Sequence, residues 1–417
     1  MRNLSQKQQR LEKPLERIDL AINGGSPVRR KENFLVFGAP SIEEPEIEEV
    51  VGCMRRRWIG TGPKVSQFEE DFAALKGVKH AIALSSCTAA LHLSLLAVGI
   101  KPGDEVITTA MTFCSTINAI IHSGATPVLA DCDKKTMNIL PEEIEKKITA
   151  KTKAILPVHF AGRCCDMDPI MEIARTYDLL VIEDCAHAIE TEYKGEKAGC
   201  FGDIGCFSFY ATKNVSTGEG GMVITEDARI AKKIKVLGLH GMSHDAWKRF
   251  SDEGYKHYEV IYCGFKYNMM DIQAAMGIHQ LKRVNKYWDR RQIIWIKYNE
   301  AFEDLACITP MEPEANSKHA YHLYTPLLDI EKTGKSRDWV LSAMTAENIG
   351  IGVHYLPVHL HPYYRKTFGW KKRDFPNAEW IGERTISLPL SGGLSDKDVD
   401  DVITAFKKIV PIRERKS

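Results

Sequence analysis

The sequence has almost no net charge: 56 lysines and arginines against 55 aspartates and glutamates leave a formal +1 over 417 residues. Such a balance provides no general pull toward nucleic acid or an anionic membrane, and neither is expected as a partner. The start, "MRNLSQKQQRLEKPLERIDL", lacks the apolar core of a secretory signal. The least polar window, residues 81–100, is as long as a membrane span. Its middle, however, holds Ser85, Ser86, Cys87 and Thr88, where a strand would turn into a helix, so no span is expected. The 11 cysteines are odd in number and form no C-x-x-C pair, and adjacent Cys164 and Cys165 suit no easy mutual disulfide. Reduced thiols in a cytoplasmic protein fit this usage. Cys185 and His187 lack a metal-ligand spacing, and no metal is expected. Also missing are G-x-G-x-x-G, G-x-x-x-x-G-K-[ST], solenoid-length repeats and low-complexity tracts.

What is present is a rhythm. From about residue 80 to 225, short apolar runs, in "HAIALSS", "DEVITT", "TPVLADCD", "TKAILPVHF" and "LLVIED", alternate with helical patterns such as "TAALHLSLLAVG", "TFCSTINAIIHSG", "PEEIEKKIT" and "DPIMEIARTYD". β-rich runs separated by amphipathic helices predict an α/β fold with a mainly parallel sheet covered on both faces. After about residue 285 a long helical stretch leads into a Pro-, His- and aromatic-rich region, read as a smaller α+β domain. The expected division is an N-terminal arm over 1–33, loosely tied, a large domain over 34–285 and a small one over 286–417.

In parallel sheets, ligands gather where strands end. "LLVIED" ends on Asp184, 29 residues before Lys213, a separation that fits neighbouring strand ends. An acid there could equally cap a helix. Lys213 follows the uncharged run "IGCFSFY" and precedes small and polar residues, so it is either a nucleophile or a lysine on a surface turn. Cys87 and Thr88 open a helix whose N-terminus suits a phosphate, although a plain cap reads the same way. Phe113 could cover a flat ring or sit in a core. Ser208 shares the lysine's strand exit. Taken together, a lysine for an aldehyde, an acid for a pyridine nitrogen, an aromatic face and a phosphate-binding helix end describe pyridoxal phosphate (PLP).

Residues 35–410 resemble the DegT/DnrJ sugar-nucleotide aminotransferases, which have the fold-type I, aspartate-aminotransferase-like architecture. The resemblance runs through "WIGTGPKVSQFEEDF", "SSCTAALHLSLLAVGIKPGDEVIT", "MTFCSTINAI", "VHFAGRCCDMDPI", "VIEDCAHAIE", "FSFYATKNVSTGEGGM", "FKYNMMDIQAAMGIHQL", "AYHLY" and "ERTISLPL". Around Trp58–Lys64, His159–Gly162 and Asp184–His187 it is nearest to members that make UDP-4-amino-4-deoxy-L-arabinose. The resemblance implies that Lys213 forms the Schiff base with PLP, that Asp184 partners the pyridine nitrogen and that Phe113 stacks on the ring. His187, where many relatives carry Gln, is expected on the ring's hydroxyl side. Cys87, Thr88 and Ser208 match phosphate-binding positions. Asn268 matches a residue that reaches the phosphate of the neighbouring subunit, which implies a homodimer with shared active sites. Thr61, His354 and His359 match positions lining the sugar pocket.

The implied activity moves an amino group from glutamate to a keto sugar nucleotide, UDP- or dTDP-linked, for surface polysaccharide or a related glycan or antibiotic. A PLP-dependent sugar dehydratase shares the fold, but members of that type carry His in place of the lysine. A non-catalytic PLP-binding regulator is a further alternative, against which Lys213, Asp184 and Ser208 argue.

Overall fold

Seven five-residue strands build the central sheet: β1 (His80–Leu84), β2 (Glu105–Thr109), β3 (Thr126–Ala130), β4 (Thr152–Leu156), β5 (Leu180–Asp184), β8 (Ile204–Ser208) and β9 (Gly221–Thr225). A short hairpin, β6 (Glu192–Tyr193) and β7 (Glu196–Lys197), interrupts the series. The order across the sheet is β1-β9-β8-β5-β4-β2-β3. Every pair is parallel except those made by β9, which runs against both neighbours. These relations come from a computed structural model describing residues 19–242 and 258–413.

Both faces of the sheet are covered. Ile182, Ile204 and Val223 pack with residues of α3 (Cys87–Ala97) and α7 (Ala228–Gly238), whereas their strand neighbours Val181, Phe207 and Met222 belong to clusters on the opposite face. This alternation is the period of two expected of strands. The uncharged window over 81–100 resolves into β1 and α3, and α3 is buried along nearly its whole length. Among the described residues, no helix is long and apolar enough to cross a membrane. The expected helix in "PEEIEKKIT" is only Pro141–Glu145; the Thr152 hydroxyl accepts the Thr149 N–H, and the chain turns there into β4.

From α9 (Val284–Phe302) onward, a second apolar cluster gathers Trp295, Tyr298, Phe302, Tyr324 and Phe406. Leu20 belongs to it, and the N–H groups of Ala21 and Val28 donate to the Glu347 carboxylate at 3.0 and 2.9 Å. Residues 19–33 are therefore not the loosely tied segment expected from composition, because a buried leucine and a charge-assisted clasp hold them. Residues 1–18 of the expected arm lie outside the described residues.

One close backbone approach positions the strand ends. Gly221, first residue of β9, pairs with both Leu84 and Ser208. A Cβ on it would lie 2.4 Å from the Ser86 carbonyl group and 2.6 Å from the Cys87 nitrogen. Only glycine lets β9 lie against the start of α3. Gly221→Ala should therefore lower stability by about 1–3 kcal/mol through overpacking, seen as a lower thermal midpoint. Gly60→Ala, with nothing within 4 Å of the added carbon, should be nearly neutral in the same melt.

Candidate active site

Asp184 closes β5 and is only 3% exposed. Its Oδ2 accepts the Thr116 hydroxyl at 2.9 Å and its Oδ1 the Ala186 N–H at 3.1 Å. It caps no helix. Burial raises its pKa above the usual carboxylate value, and the Ala186 N–H, the Thr116 hydroxyl and the positive charge of Lys213 oppose that rise. Thr116 is itself held by Thr112, hydroxyl to hydroxyl at 2.7 Å, at the start of α4 (Cys114–His122).

β8 lies beside β5, with Asp184 opposite Cys206. Five residues past its end, the Lys213 N–H closes a turn on the Tyr210 carbonyl at 2.8 Å. The strand pairing thus delivers lysine and aspartate to one place, as the 29-residue spacing allowed. Burial pulls the Lys213 amine down to about 8, with Cys87 and Asp184 partly restoring its charge. A large share of such an amine is neutral near pH 8, which a nucleophile requires.

The N-terminus of α3 faces the same region. Ser86 is its cap, the hydroxyl accepting the Ala89 N–H at 3.1 Å. Cys87 and Thr88 occupy the first turn, whose N–H groups have no partner within the helix. Ser208, buried at the end of β8, pairs with Gly221, which lies against this helix start. Phe113 precedes α4 with its ring 55% exposed, 5.9 Å from the ring of Tyr355.

The hydrogen bonds of His187 can be assigned a direction. Its Nδ1 accepts the Ala161 N–H at 3.2 Å, so the proton of the neutral ring sits on Nε2, 3.1 Å from the Tyr355 hydroxyl. The imidazole donates to Tyr355 and has no further proton for another partner. Tyr355 keeps its own O–H to donate, and burial pushes its pKa far up, which preserves the phenol. Burial and the nearby Lys213 charge also hold His187 and His322 well below the usual histidine value and His354 at about 3. His354 Nδ1 lies 2.7 Å from the Ser387 hydroxyl, and its ring packs against those of His187 and Tyr355.

Two expected sites lie apart from this cluster. His359 is fully buried, with Nε2 3.0 Å from Glu379 and its ring against Phe375. It makes no described contact with the histidines around Lys213. Thr61 and Asn268 are joined to each other by the Asn268 amide and the Thr61 hydroxyl at 2.5 Å, while Thr61 donates to the Met269 carbonyl. They line a cavity of about 840 Å³ with Val65, Leu84 and Met242, and Lys213 is not part of its wall. Thr116, Asn214, His322 and Tyr355 were not singled out from sequence. "AYHLY" and "GIGVHYLPVHLHPYY" contain two of them, but nothing local in those runs says which side chain turns toward Lys213.

Residues 40–407 match the model of the DegT/DnrJ/EryC1/StrS aminotransferase family. The chain is 51% identical over 385 residues to the spore coat polysaccharide biosynthesis protein SpsC of Bacillus subtilis, covering 92% of this chain and 99% of that protein. Among solved structures it resembles the PMP form of the putative sugar aminotransferase Spr1654 of Streptococcus pneumoniae, with 33% identity and a TM-score of 0.84 over 90% of this chain and 98% of that one. It also resembles DesI, solved in the presence of its TDP-sugar product, with 31% identity and a TM-score of 0.82 over 93% and 95% of the two chains. A family match across nearly the whole described chain, on an α/β frame that carries a lysine beside a buried aspartate, identifies the protein as a PLP-dependent aminotransferase that belongs to the DegT/DnrJ/EryC1/StrS family.

Proposed function

We propose that this enzyme transfers an amino group from glutamate to a UDP- or dTDP-linked 4-keto sugar, for a surface polysaccharide or a related glycan. The observation that carries the reading is the Lys213 amine, lowered to about 8, set beside the buried Asp184 carboxylate. The sugar-nucleotide part is supported by DesI's TDP-sugar product and by the polysaccharide role in SpsC's name. A cytoplasmic setting agrees with 11 unpaired cysteines.

The residues present fit PLP. Lys213 offers an amine to an aldehyde, Asp184 an anion to a ring nitrogen, Phe113 a face, and Cys87, Thr88 and Ser208 donors at a positive helix end. Bound there, PLP supplies an electron sink for the carbanion formed when an amino acid loses its α-proton. Lys213 holds and then returns that proton, a role suited to an amine that changes charge near neutral pH. Asp184 keeps the ring nitrogen protonated. Tyr355, oriented by His187, keeps an O–H to donate, and the neutral histidines add dipoles without repelling Lys213. His354, packed against His187 and Tyr355, is the candidate for contact with the sugar.

The site is proposed to be completed by a second copy of the chain. Asn268 and Thr61 are joined to each other away from Lys213, and Trp58, Ile59 and Met270 beside them are 55%, 52% and 44% exposed. Exposed apolar side chains gathered beside polar groups mark a surface suited to a subunit contact.

Three outcomes are expected. The purified enzyme should lose its visible cofactor band on adding glutamate and regain it with a UDP- or dTDP-4-keto sugar, with the aminated sugar seen by mass spectrometry. Lys213→Ala should abolish both changes while leaving the melt intact, and borohydride should fix the cofactor to Lys213 of the wild type. Persistence of the band with glutamate would leave a binding protein in place of a transaminase.

Asp184→Asn should keep the cofactor but slow turnover by at least about a hundredfold, the size of a lost electrostatic contact at a reacting centre. Near-normal kinetics would remove Asp184 from the chemistry.

Mixing Lys213→Ala chains with Asn268→Ala chains should return activity toward half that of wild type per dimer. This follows if Asn268→Ala homodimers are impaired and exchange is verified. Exchange without recovery would mean that Asn268 serves its own chain.

A further inference from the structure

Lys213 stands on a turn that packing supports on one side only. The turn closes through two backbone bonds, from the Lys213 N–H to the Tyr210 carbonyl at 2.8 Å and from the Thr217 N–H to the Phe209 carbonyl at 2.9 Å. Val215, two residues after the lysine, is fully buried in the cluster with Phe209 and Met222. Against the turn elsewhere lies a polar cavity of about 30 Å³, with Thr212, Lys213, Asn214, Ser216 and Arg291 in its wall. That is room for about two waters. Dispersion contacts are missing where it lies, so they do not fix the turn there.

Hydrogen bonds hold it instead, through Asn214, the residue bonded to Lys213 in the chain. Its amide Nδ2 lies 2.9 Å from Glu190 Oε2 and 3.1 Å from the Ala320 carbonyl oxygen. A carboxylate and a carbonyl only accept, so the NH₂ end stands there and the amide oxygen faces His322 Nδ1, at 3.0 Å. Arg291, on α9, donates through its guanidinium to Glu190 Oε1 and through Nε to the Ala320 carbonyl at 3.3 Å. Glu190 and Arg291 are both buried, and neither can exchange its partner for water. Glu190 thus accepts from Asn214 on one oxygen and from Arg291 on the other. A carboxylate can do this; a glutamine of the same shape would turn its own NH₂ toward one of the two donors.

We propose that Asn214 is a positioning residue for Lys213: clamped by the Glu190–Arg291 pair, it fixes the backbone that carries the lysine to α9. The inference rests on Lys213 being the reacting amine. The coupling runs through the peptide bond between residues 213 and 214 and needs no contact with the amine itself. A side chain is carried by its Cα, so a shift of the turn is passed on to the nitrogen. Misplacing a reacting group by about 1 Å can cost about a hundredfold in rate.

The test is a cycle of variants in the full-length enzyme, freed of cofactor and then given saturating PLP. The first-order rise of the lysine-bound visible band should be at least about tenfold slower in Asn214→Ala than in wild type. Glu190→Gln should slow it similarly, and combining the two should add little, because both remove one clamp. In a Lys213→Ala background, where PLP is held without the covalent bond, adding Asn214→Ala should leave the affinity for PLP unchanged. That arm separates positioning of the lysine from general damage to the pocket. An unchanged rate in Asn214→Ala, or weakened PLP binding when it is added to Lys213→Ala, would overturn the proposal. A set of variants that behaves as expected in a protein that ignores glutamate would instead count against the transaminase reading alone.

Discussion

Two adjacent carboxylates, Glu183 and Asp184, are buried at the end of β5 on opposite faces of the sheet, and the site is assembled around them. Glu183 is completely enclosed, and its oxygens accept four hydrogen bonds: from the N–H groups of Gly199, Phe201 and Gly202 and from His159 Nε2, all at 2.8–2.9 Å. His159 is oriented in turn, its Nδ1 accepting the Cys165 N–H at 3.1 Å. A buried carboxylate without such donors costs several kcal/mol. Satisfying Glu183 therefore pins β5 to the turn ahead of β8 and to the exit of β4. Slipping the strand by one residue would put each acid on the wrong face, so the register is strongly fixed. Asp184 is left at the opposite face, where Thr116 and Ala186 receive it.

With that register set, burial governs the electrostatics. It raises Asp184, lowers Lys213 to about 8 and keeps three histidines neutral. Desolvation opposes charge on every group, and the charge each retains depends on its neighbours. This explains why the hydrogen bonds around the histidines can be assigned a direction: neutral rings have one donor and one acceptor, and backbone N–H groups or amides claim one of them. His187 is committed to Ala161 and Tyr355, and His322 to Asn214. A ring that holds the Ala161 N–H has a single proton left, and in His187 it lies toward the Tyr355 hydroxyl.

The parallel sheet was legible in the sequence because each strand has an apolar centre and the segments between them have helical patterns, a rhythm set locally by side-chain period. That the strand ending on Asp184 neighbours the one leading to Lys213 was legible too, since the spacing allows adjacent strands. The order β1-β9-β8-β5-β4-β2-β3 and the reversal of β9 were not, because pairing across a sheet is a long-range choice that no local run encodes. Residues 19–33 were expected within a loosely tied arm, and only the distant Glu347 and the cluster around Leu20 show that they are held. His359 and His354 lie five residues apart in one histidine-rich stretch, yet one is bonded to Glu379 in a core and the other to Ser387, its ring against His187 and Tyr355. Sequence alone determined which chemical groups the chain carries and which strand ends could present them. Tertiary structure decided which neighbours each group has, and for a buried titratable side chain those neighbours set its charge, its tautomer and the hydrogen bonds it has left to give.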